Sequence, residues 1–366
     1  MNKKLLLSLP LAALLASCSS DENVQEQNER KEIKFTIGVK SPTVKSETNA
    51  STLTDFNLSA YQNSSVYANI DNTTINKPVS GTIWSLSPAK YWPNSGTLDF
   101  LAYAPSSIGA TIASDKITLS DYEPSTADVA AQTDIITAIA ANQSTSPVAL
   151  QFNHALSKIV IKAKNESMAG YTVEIKGVKL GWIGTNKADM SVTSTGATWT
   201  PASDVTNTSY KIESSDATTV AFNDYSSDYT TRSAQDIMFG KDGFYLIPQQ
   251  LTAWSNGTPS TKNAFISVLC KIKQYGTQIF PTTGDFGWAG ATGIDTKWEA
   301  GKMYTYTLEF FNDGTGGFGY PDPEDPPTGT TPGSPIITNP SSDIKFTVTI
   351  DDWSTSNTSI SVPYSN

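Results

Sequence analysis

A single histidine limits the acid–base chemistry that this sequence can support. His154 is the only imidazole, so a Ser/His or Cys/His dyad for nucleophilic catalysis would have to include it. It follows Leu150 and Phe152 and precedes Leu156 in strict alternation, so these side chains fall on one face of a predicted strand. This placement predicts a hydrogen-bonded histidine in a core or at a join between domains, rather than a general base.

The carboxylates show no better arrangement for catalysis. Asp322, Glu324 and Asp325 lie among prolines, and Asp351 and Asp352 point to opposite faces if the chain is extended there. No segment has the spacing of an EF-hand, and the only glycine-rich stretch belongs to a linker-like segment. We therefore predict no catalytic residue, no metal site and no cofactor, and we expect that the protein is not an enzyme.

The two cysteines have different predicted roles. Residues 1–17 combine two lysines with a short apolar run, as an export signal does, and end next to Cys18 in a Leu-Ala-Ser-Cys sequence that resembles the bacterial lipobox. In such signals a peptidase cuts before the cysteine, whose thiol carries a diacylglycerol that anchors the protein to a membrane. The open alternative is an ordinary signal peptide with a chance cysteine. Cys270 lies on the apolar face of an alternating run, which predicts a small buried side chain.

Composition and patterning indicate the fold class. The chain has 366 residues with a formal net charge of −10 and a pI near 4.7, which argues against a nucleic-acid partner. Runs of alternating apolar and polar residues recur between segments rich in Gly, Pro, Asn, Asp and Ser, a pattern typical of strands and turns. We predict an all-β protein with two antiparallel β-sandwich domains in tandem.

The same patterns predict the boundaries of the parts. We expect a lipoprotein signal peptide at 1–17, a tether at 18–31, an N-terminal sandwich at 32–150, a C-terminal sandwich at 151–311, a Pro/Gly-rich linker at 312–342 and a C-terminal strand region at 343–366. The linker holds a Pro-Asp-Pro-Glu-Asp-Pro-Pro stretch, and such a composition favours an extended, solvated backbone.

Two distant segments share one apolar pattern. Residues 33–39 read IKFTIGV and residues 344–350 read IKFTVTI, with four identical positions. The residues on the predicted inward face match pairwise: Ile33 with Ile344, Phe35 with Phe346, Ile37 with Val348 and Val39 with Ile350. Two strands with the same face can occupy one groove in a sheet, so the second strand of one molecule can replace the first strand of a neighbour. The alternative is that each strand stays in its own chain.

Several motifs, in the same order along the chain, resemble the fimbrillins of Bacteroidetes. The acidic Ser-Ser-Asp-Glu stretch after Cys18 also resembles the surface-export signal of Bacteroidetes lipoproteins. The resembling segments are Tyr-Trp-Pro at 91–93, LDFLAYAP at 98–105, DIITA at 134–138, LQFNHALSK at 150–158, YLIPQQ at 245–250, WEAGKMYTY at 298–306 and IDDW at 350–353. The resemblance implies two transthyretin-like β-sandwich domains and a lipid-anchored precursor at the outer membrane and cell surface.

The resemblance also implies an assembly route. In that family a trypsin-like protease cuts the loop after the first strand, the strand leaves with the lipid, and a neighbour's C-terminal strand replaces it. Family members are usually cut after an arginine, but here that loop holds only Lys40 and Lys45. Lys40 is followed by Ser-Pro, so Lys45 is the candidate processing site, whereas Arg30 lies before the strand. The implied partners are other fimbrial subunits, the protease, the outer membrane and a receptor on a host or bacterial surface.

The leading interpretation is therefore a fimbrial subunit that supports adhesion. The missing arginine leaves its position in the fibre open between shaft, anchor and tip. The alternative is a surface glycan-binding lipoprotein of an outer-membrane sugar-uptake system, for which Trp254 and Trp288, in loop-like sequence, are the candidate stacking residues. An extracellular hydrolase ranks third because no catalytic arrangement is visible.

Overall fold

Strands form almost all of the regular structure, as the alternating runs predict. A computed structural model describes residues 31–39, 52–167, 170–220, 233–256, 260–312, 317–331, 333–337, 343–353 and, for the backbone alone, 360–363. Within these ranges the helices are two short 3-10 turns, η1 (Ser106–Ile108) and η2 (Val129–Ala131), and neither has the length to traverse a lipid bilayer. The prediction of an all-β fold is confirmed.

The strands of the first half of the chain are β1 (Lys34–Val39), β2 (Asp55–Gln62), β3 (Ser65–Val66), β4 (Thr73–Asn76), β5 (Trp84–Ser85), β6 (Leu98–Ala104), β7 (Thr111–Ile112), β8 (Ile117–Tyr122), β9 (Ile136–Gln143), β10 (Val148–His154), β11 (Ser157–Asn165) and β12 (Tyr171–Ile183). Those of the second half are β13 (Ala188–Thr193), β14 (Gly196–Pro201), β15 (Thr208–Val220), β16 (Gln235–Asp236), β17 (Phe244–Leu246), β18 (Phe265–Gln274), β19 (Thr277–Phe280), β20 (Gly287–Gly293), β21 (Lys302–Phe310), β22 (Tyr320–Pro321), β23 (Lys345–Asp352) and β24 (Ile360–Pro363).

The N-terminal sheet folds over its own core. Its order is β3-β2-β6-β9-β10-β1-β5, with β4 also paired to β2. Strand β10 pairs with β1 along its first part and with β9 through Asn153 and His154, so it passes from one layer to the other. The two layers then pack face to face on an apolar cluster drawn from β1, β2, β6 and β10.

Two further sheets form the C-terminal sandwich. One has the order β16-β11-β21-β23-β24, with β17 paired to β11, and the other has the order β15-β12-β18-β20-β22, with β19 paired to β18. Residues of β11, β21 and β23 on one side and of β12 and β18 on the other share the largest apolar cluster. Each half of the chain thus builds a core between two layers, which is how sandwiches bury their apolar faces.

A fourth sheet, β14-β13-β8-β7, contains strands from both halves of the chain. Strand β13 pairs with β8, for example through Val192 opposite Ile117. The expected boundary at residues 150 and 151 also falls within β10, which continues in the N-terminal sheet as far as His154. The halves are therefore joined by a shared sheet in addition to the chain connection.

Within the expected linker at 312–342, residues 317–322 are buried against the C-terminal sandwich, unlike the solvated backbone that the composition favours. Tyr320 and Pro321 form β22, which pairs with β20 at the edge of the C-terminal sandwich. Phe318 is buried and stacks on Phe310 with ring centroids 4.7 Å apart, and Asp322 is also buried. The composition misled because a few apolar residues between the prolines and glycines suffice to attach the segment to an existing sheet edge.

Candidate functional site

The first strand lies in a groove of the N-terminal sheet. β1 runs parallel to β10, from Phe35 opposite Val148 to Val39 opposite Phe152. Its outer neighbour is the two-residue strand β5. Among the described residues, the two-residue β5 is the only strand on the outer edge of β1, so the ladder with β10 supplies most of the described backbone pairing of β1.

The side chains of β1 fill the core beneath it. Ile33 and Phe35 are buried, and Ile37 and Val39 pack half-buried against the same cluster. The Phe35 ring meets Phe100 edge to face at 5.4 Å between centroids and Phe56 at 6.5 Å. All four candidate residues of the displaced strand therefore face one apolar slot, and Phe35 is its most deeply packed member.

A polar clasp holds the start of β1. The Ser146 hydroxyl donates to the Glu32 carbonyl at 2.6 Å and accepts from the Lys34 N–H at 3.1 Å. The same hydroxyl accepts from Trp92 Nε1 at 2.8 Å. These bonds fix the entry of the strand without involving its apolar face.

The C-terminal strand lies in the sheet of its own chain. β23 runs antiparallel to β21, from Lys345 opposite Glu309 to Asp352 opposite Lys302, and pairs on its other side with β24. Ile344, Phe346 and Val348 are buried in the core of the C-terminal sandwich, and Ile350 packs against that core. The candidate donor residues therefore share an inward face, but in this structure they lie in a different sheet from β1.

His154 lies in a buried cluster at the join of the two sandwiches. Its Nδ1 is 2.9 Å from Asp134 Oδ1, which confirms the prediction of a hydrogen-bonded histidine at a join. Its ring stacks on Trp353, with centroids 3.8 Å apart and planes 5° from parallel. Tyr245 stacks on Trp353 at 5.4 Å, and Lys158 Nζ lies 5.9 Å from the centroid of the same ring.

This cluster collects residues from four of the sequence motifs. Its members come from four separate segments of the sequence: Asp134, His154 with Lys158, Tyr245, and Trp353. Sequence analysis assigned His154 to a join but missed that the residue stacked on it is Trp353, at the end of the C-terminal strand. The only sequence signal was that each residue belongs to a motif shared with one family.

A second buried polar cluster was also missed. Lys179 Nζ lies 3.0 Å from Asp322 Oδ2 and 2.7 Å from Asp325 Oδ2, and the Lys179 and Asp322 side chains are almost fully buried. Burial lowers the pKa of Lys179, but the charges of Asp322 and Asp325 outweigh burial and leave that pKa raised. Asp322 Oδ1 also accepts the backbone N–H groups of Glu324 and Asp325. The cluster fastens the segment after β22 to β12.

The remaining candidate residues lie elsewhere. Cys270 is buried, and burial raises the pKa of its thiol well above the usual value. Trp254 is buried against Phe265, and Trp288 lies beneath Lys179 Nζ at 4.6 Å, so neither ring pairs with the other as an open sugar-binding platform. Cys18 and Lys45 lie outside the described residues. In the described ranges, no group of three His, Cys, Asp or Glu side chains is arranged to hold a metal ion.

The fold and these features define an all-β protein of two joined sandwiches whose first strand pairs with β10 and fills an apolar slot in the N-terminal core. The model of the fimbrillin-like family matches residues 36–353, so the chain belongs to the fimbrillin-like family, and the resemblance found in the sequence is confirmed. No curated protein matches the chain.

Two of the solved structures that the chain is similar to come from Bacteroides species. A fimbrial protein from Bacteroides vulgatus is 17% identical, with a TM-score of 0.54 over 76% of this chain and 95% of that chain. A putative cell adhesion protein from Bacteroides uniformis is 13% identical, with a TM-score of 0.45 over 89% of this chain and 99% of that chain. At 17% identity the first likeness shows a shared fold.

Proposed function

We propose that this protein is a structural subunit of a cell-surface fimbria that supports adhesion and assembles by strand exchange with other subunits. The observation that carries the proposal is the match between β1 and β23. The four inward residues of β1 fill one apolar slot, and residues 344–350 carry the same pattern of side chains. Membership of the fimbrillin-like family supports the same role.

The match predicts how the donated strand would lie. If it takes the direction and register of β1 beside β10, Phe346 stands opposite Val148 and its ring enters the space between Phe56 and Phe100. Val348 and Ile350 then replace Ile37 and Val39, each pair being close in volume. Volume-conserving apolar exchanges are the ones that packed cores tolerate best.

Proteolysis would supply the driving force. In its own sheet, β23 already buries its apolar side chains. It therefore gains no further apolar burial by moving to a groove that β1 still occupies. After β1 has left, the vacant slot offers burial of four apolar side chains, worth on the order of 6–12 kcal/mol before entropy costs. The backbone groups of β10 would also regain a partner strand, as in other cases of strand addition. While β1 is in place, insertion of β23 would have to expel it and is unfavourable. Cleavage removes that cost, and the burial gained in the slot offsets the burial that β23 gives up in its own sheet.

The proposal also includes the membrane anchor of the precursor and its proteolytic processing. Diacylglycerol on Cys18 would hold the precursor at the outer membrane, and cleavage after Lys45 by a trypsin-like protease would release β1 together with the lipid. Cleavage after Arg30 would release the lipid but leave β1 in its groove. A protease that accepts only arginine would therefore leave this subunit with β1 in place. A subunit that keeps β1 cannot accept a donor strand, which would suit a role as an anchor or a subunit near the tip.

Limited trypsin treatment of the purified mature protein tests the proposal. We expect cleavage after Lys45, followed by strand-linked oligomers seen as a rise in native mass. These oligomers should be absent when residues 343–366 are deleted. Lys45→Gln should block both steps, whereas Lys40→Gln, the matched control in the same loop, should not. A protein that is cut after Lys45, loses the segment that ends at Lys45 and remains monomeric would refute strand exchange.

A further inference from the structure

The end of the C-terminal strand is attached to the join between the sandwiches. Trp353 directly follows β23, is fully buried, and belongs to an apolar cluster that otherwise consists of residues before position 246. On one face its ring stacks on His154 of β10, a strand of the N-terminal sheet, and its other stacking partner is Tyr245 of β17 in the C-terminal sandwich. One side chain thus ties the last long strand to both halves of the molecule.

The backbone around Trp353 strengthens this attachment. The Trp353 N–H donates to the Gly301 carbonyl at 2.8 Å, and the Gly301 N–H donates to the Leu156 carbonyl at 2.9 Å. Asp352, the preceding residue, pairs with Lys302 of β21. The chain between β10 and β11 is therefore linked through Gly301 to the end of β23.

The Trp353 side chain is nevertheless held by packing alone. Its Nε1–H has no hydrogen-bond partner among the described residues. Stacked aromatic pairs add about 0.5–1.5 kcal/mol beyond area burial, whereas a buried unpaired donor is a cost that contact with water removes. Such a side chain can withdraw without leaving its own donor unsatisfied, which suits a reversible attachment.

We propose that Trp353 is a latch that keeps β23 in its own chain, and that release of the strand begins with withdrawal of this ring from its contacts with His154 and Tyr245. A strand paired with neighbours on both sides opens from its ends, because the end pairs are lost first. Trp353 lies at the C-terminal end of β23, where Asp352 pairs with Lys302. The consequence for assembly rests on the proposed function, but the latch itself is a property of the single uncleaved chain.

Hydrogen exchange on the uncleaved chain tests the latch. In Trp353→Ala we expect the amides of β23 to exchange at least tenfold faster than in the native sequence, with the amides of β18 unchanged. Trp199→Ala is the matched control. Trp199 packs on the same cluster and donates its Nε1–H to the Ala155 carbonyl, but it belongs to β14. Its loss should leave β23 protected.

Unchanged β23 protection in Trp353→Ala, or equal acceleration in all strands, would overturn the latch. If the alanine variant does not fold, Trp353→Leu decides, because it keeps apolar volume but loses the stacking. Faster exchange confined to β23 supports the latch in that variant, and no acceleration refutes it.

A separate measurement distinguishes failure of the latch from failure of the proposed function. A synthetic peptide of residues 343–353 should bind the trypsin-cut protein whether or not the latch exists, because binding requires only an empty groove. Absence of peptide binding together with faster β23 exchange would refute strand exchange and leave the latch standing. Peptide binding together with unchanged β23 exchange would refute the latch and leave strand exchange standing.

Discussion

At the scale of single residues, Lys158 is the most perturbed cation in the join. Burial lowers the pKa of its ammonium group to about 8, against a usual value of 10.5, although the charge of Asp242 partly opposes the shift. Between these two pH values the unfolded chain binds a proton that the folded chain does not. The free energy of unfolding should therefore rise as the pH increases through this window.

We expect Lys158→Met to remove this rise. Relative to the variant, the native sequence should gain on the order of 1–2 kcal/mol between about pH 7.5 and pH 9.5, measured by urea unfolding. The comparison with the variant cancels the opposing contribution of the buried Cys270 thiol, whose pKa burial raises. Higher pH is unsuitable because burial raises the pKa of Tyr245, so stability falls once unfolded tyrosines ionise. The exposed Lys297→Met is the control and should keep the native profile. A native profile in Lys158→Met would contradict the assignment.

The Lys179–Asp322 pair leads to a second residue-scale prediction. Asp322→Ala removes the only fully buried carboxylate beside the Lys179 ammonium group and leaves it with the more exposed Asp325 and Glu324, so the unfolding free energy should fall by about 3 kcal/mol, the lower end of the range for a broken buried pair. Glu299→Gln, in the exposed pair with Lys297, should cost less than about 1 kcal/mol. The double change Lys179→Met with Asp322→Leu should restore most of the loss, since apolar pairs of similar volume replace buried ion pairs well. A double variant as unstable as Asp322→Ala would disprove this account.

At the scale of elements, the groove of β1 should select its strand by the position of one aromatic ring. In the register of β1, a peptide of residues 343–353 places Phe346 where Phe35 packs against Phe56 and Phe100. We expect Phe346→Ser in that peptide to weaken binding to the cut protein by at least 100-fold, because a buried phenylalanine contributes about 1.5–3 kcal/mol of transfer free energy plus the cost of a cavity.

The matched control in that peptide is Thr347→Ser, at a position that points away from the apolar face. It should change the affinity less than threefold. Binding measured by calorimetry that responds equally to the two changes would show that the peptide is not held in the register of β1.

At the scale of the whole molecule, the sheet β14-β13-β8-β7 should make the two halves unfold together. The ladder between β13 and β8, with Met190 opposite Leu119, crosses the connection between the sandwiches, and the Trp353 cluster lies beside it. We expect a single calorimetric transition whose van't Hoff and calorimetric enthalpies agree.

A proline in this ladder tests the coupling. Ser191→Pro puts a residue that cannot donate a backbone hydrogen bond into the middle of β13, where Ser191 pairs with Thr118 of β8 and Thr198 of β14, and should split the transition in two. Ser194→Pro, in the turn between β13 and β14, is the control and should keep one transition. Two transitions in the native sequence would show that the halves are thermodynamically independent.

The sequence by itself determined the all-β class, the position of the main strands, the family and the pattern shared by β1 and β23. These properties follow from alternation and turn residues, which act over a few positions and can be read without knowing any neighbour. Only the tertiary structure decided which distant side chains contact each other. Lys179 pairs with Asp322, and Trp353 stacks on His154 and Tyr245, across separations in sequence that no local pattern encodes. The same holds for the proline-rich segment, because its attachment depends on the free edge of β20, a property of the assembled sheet.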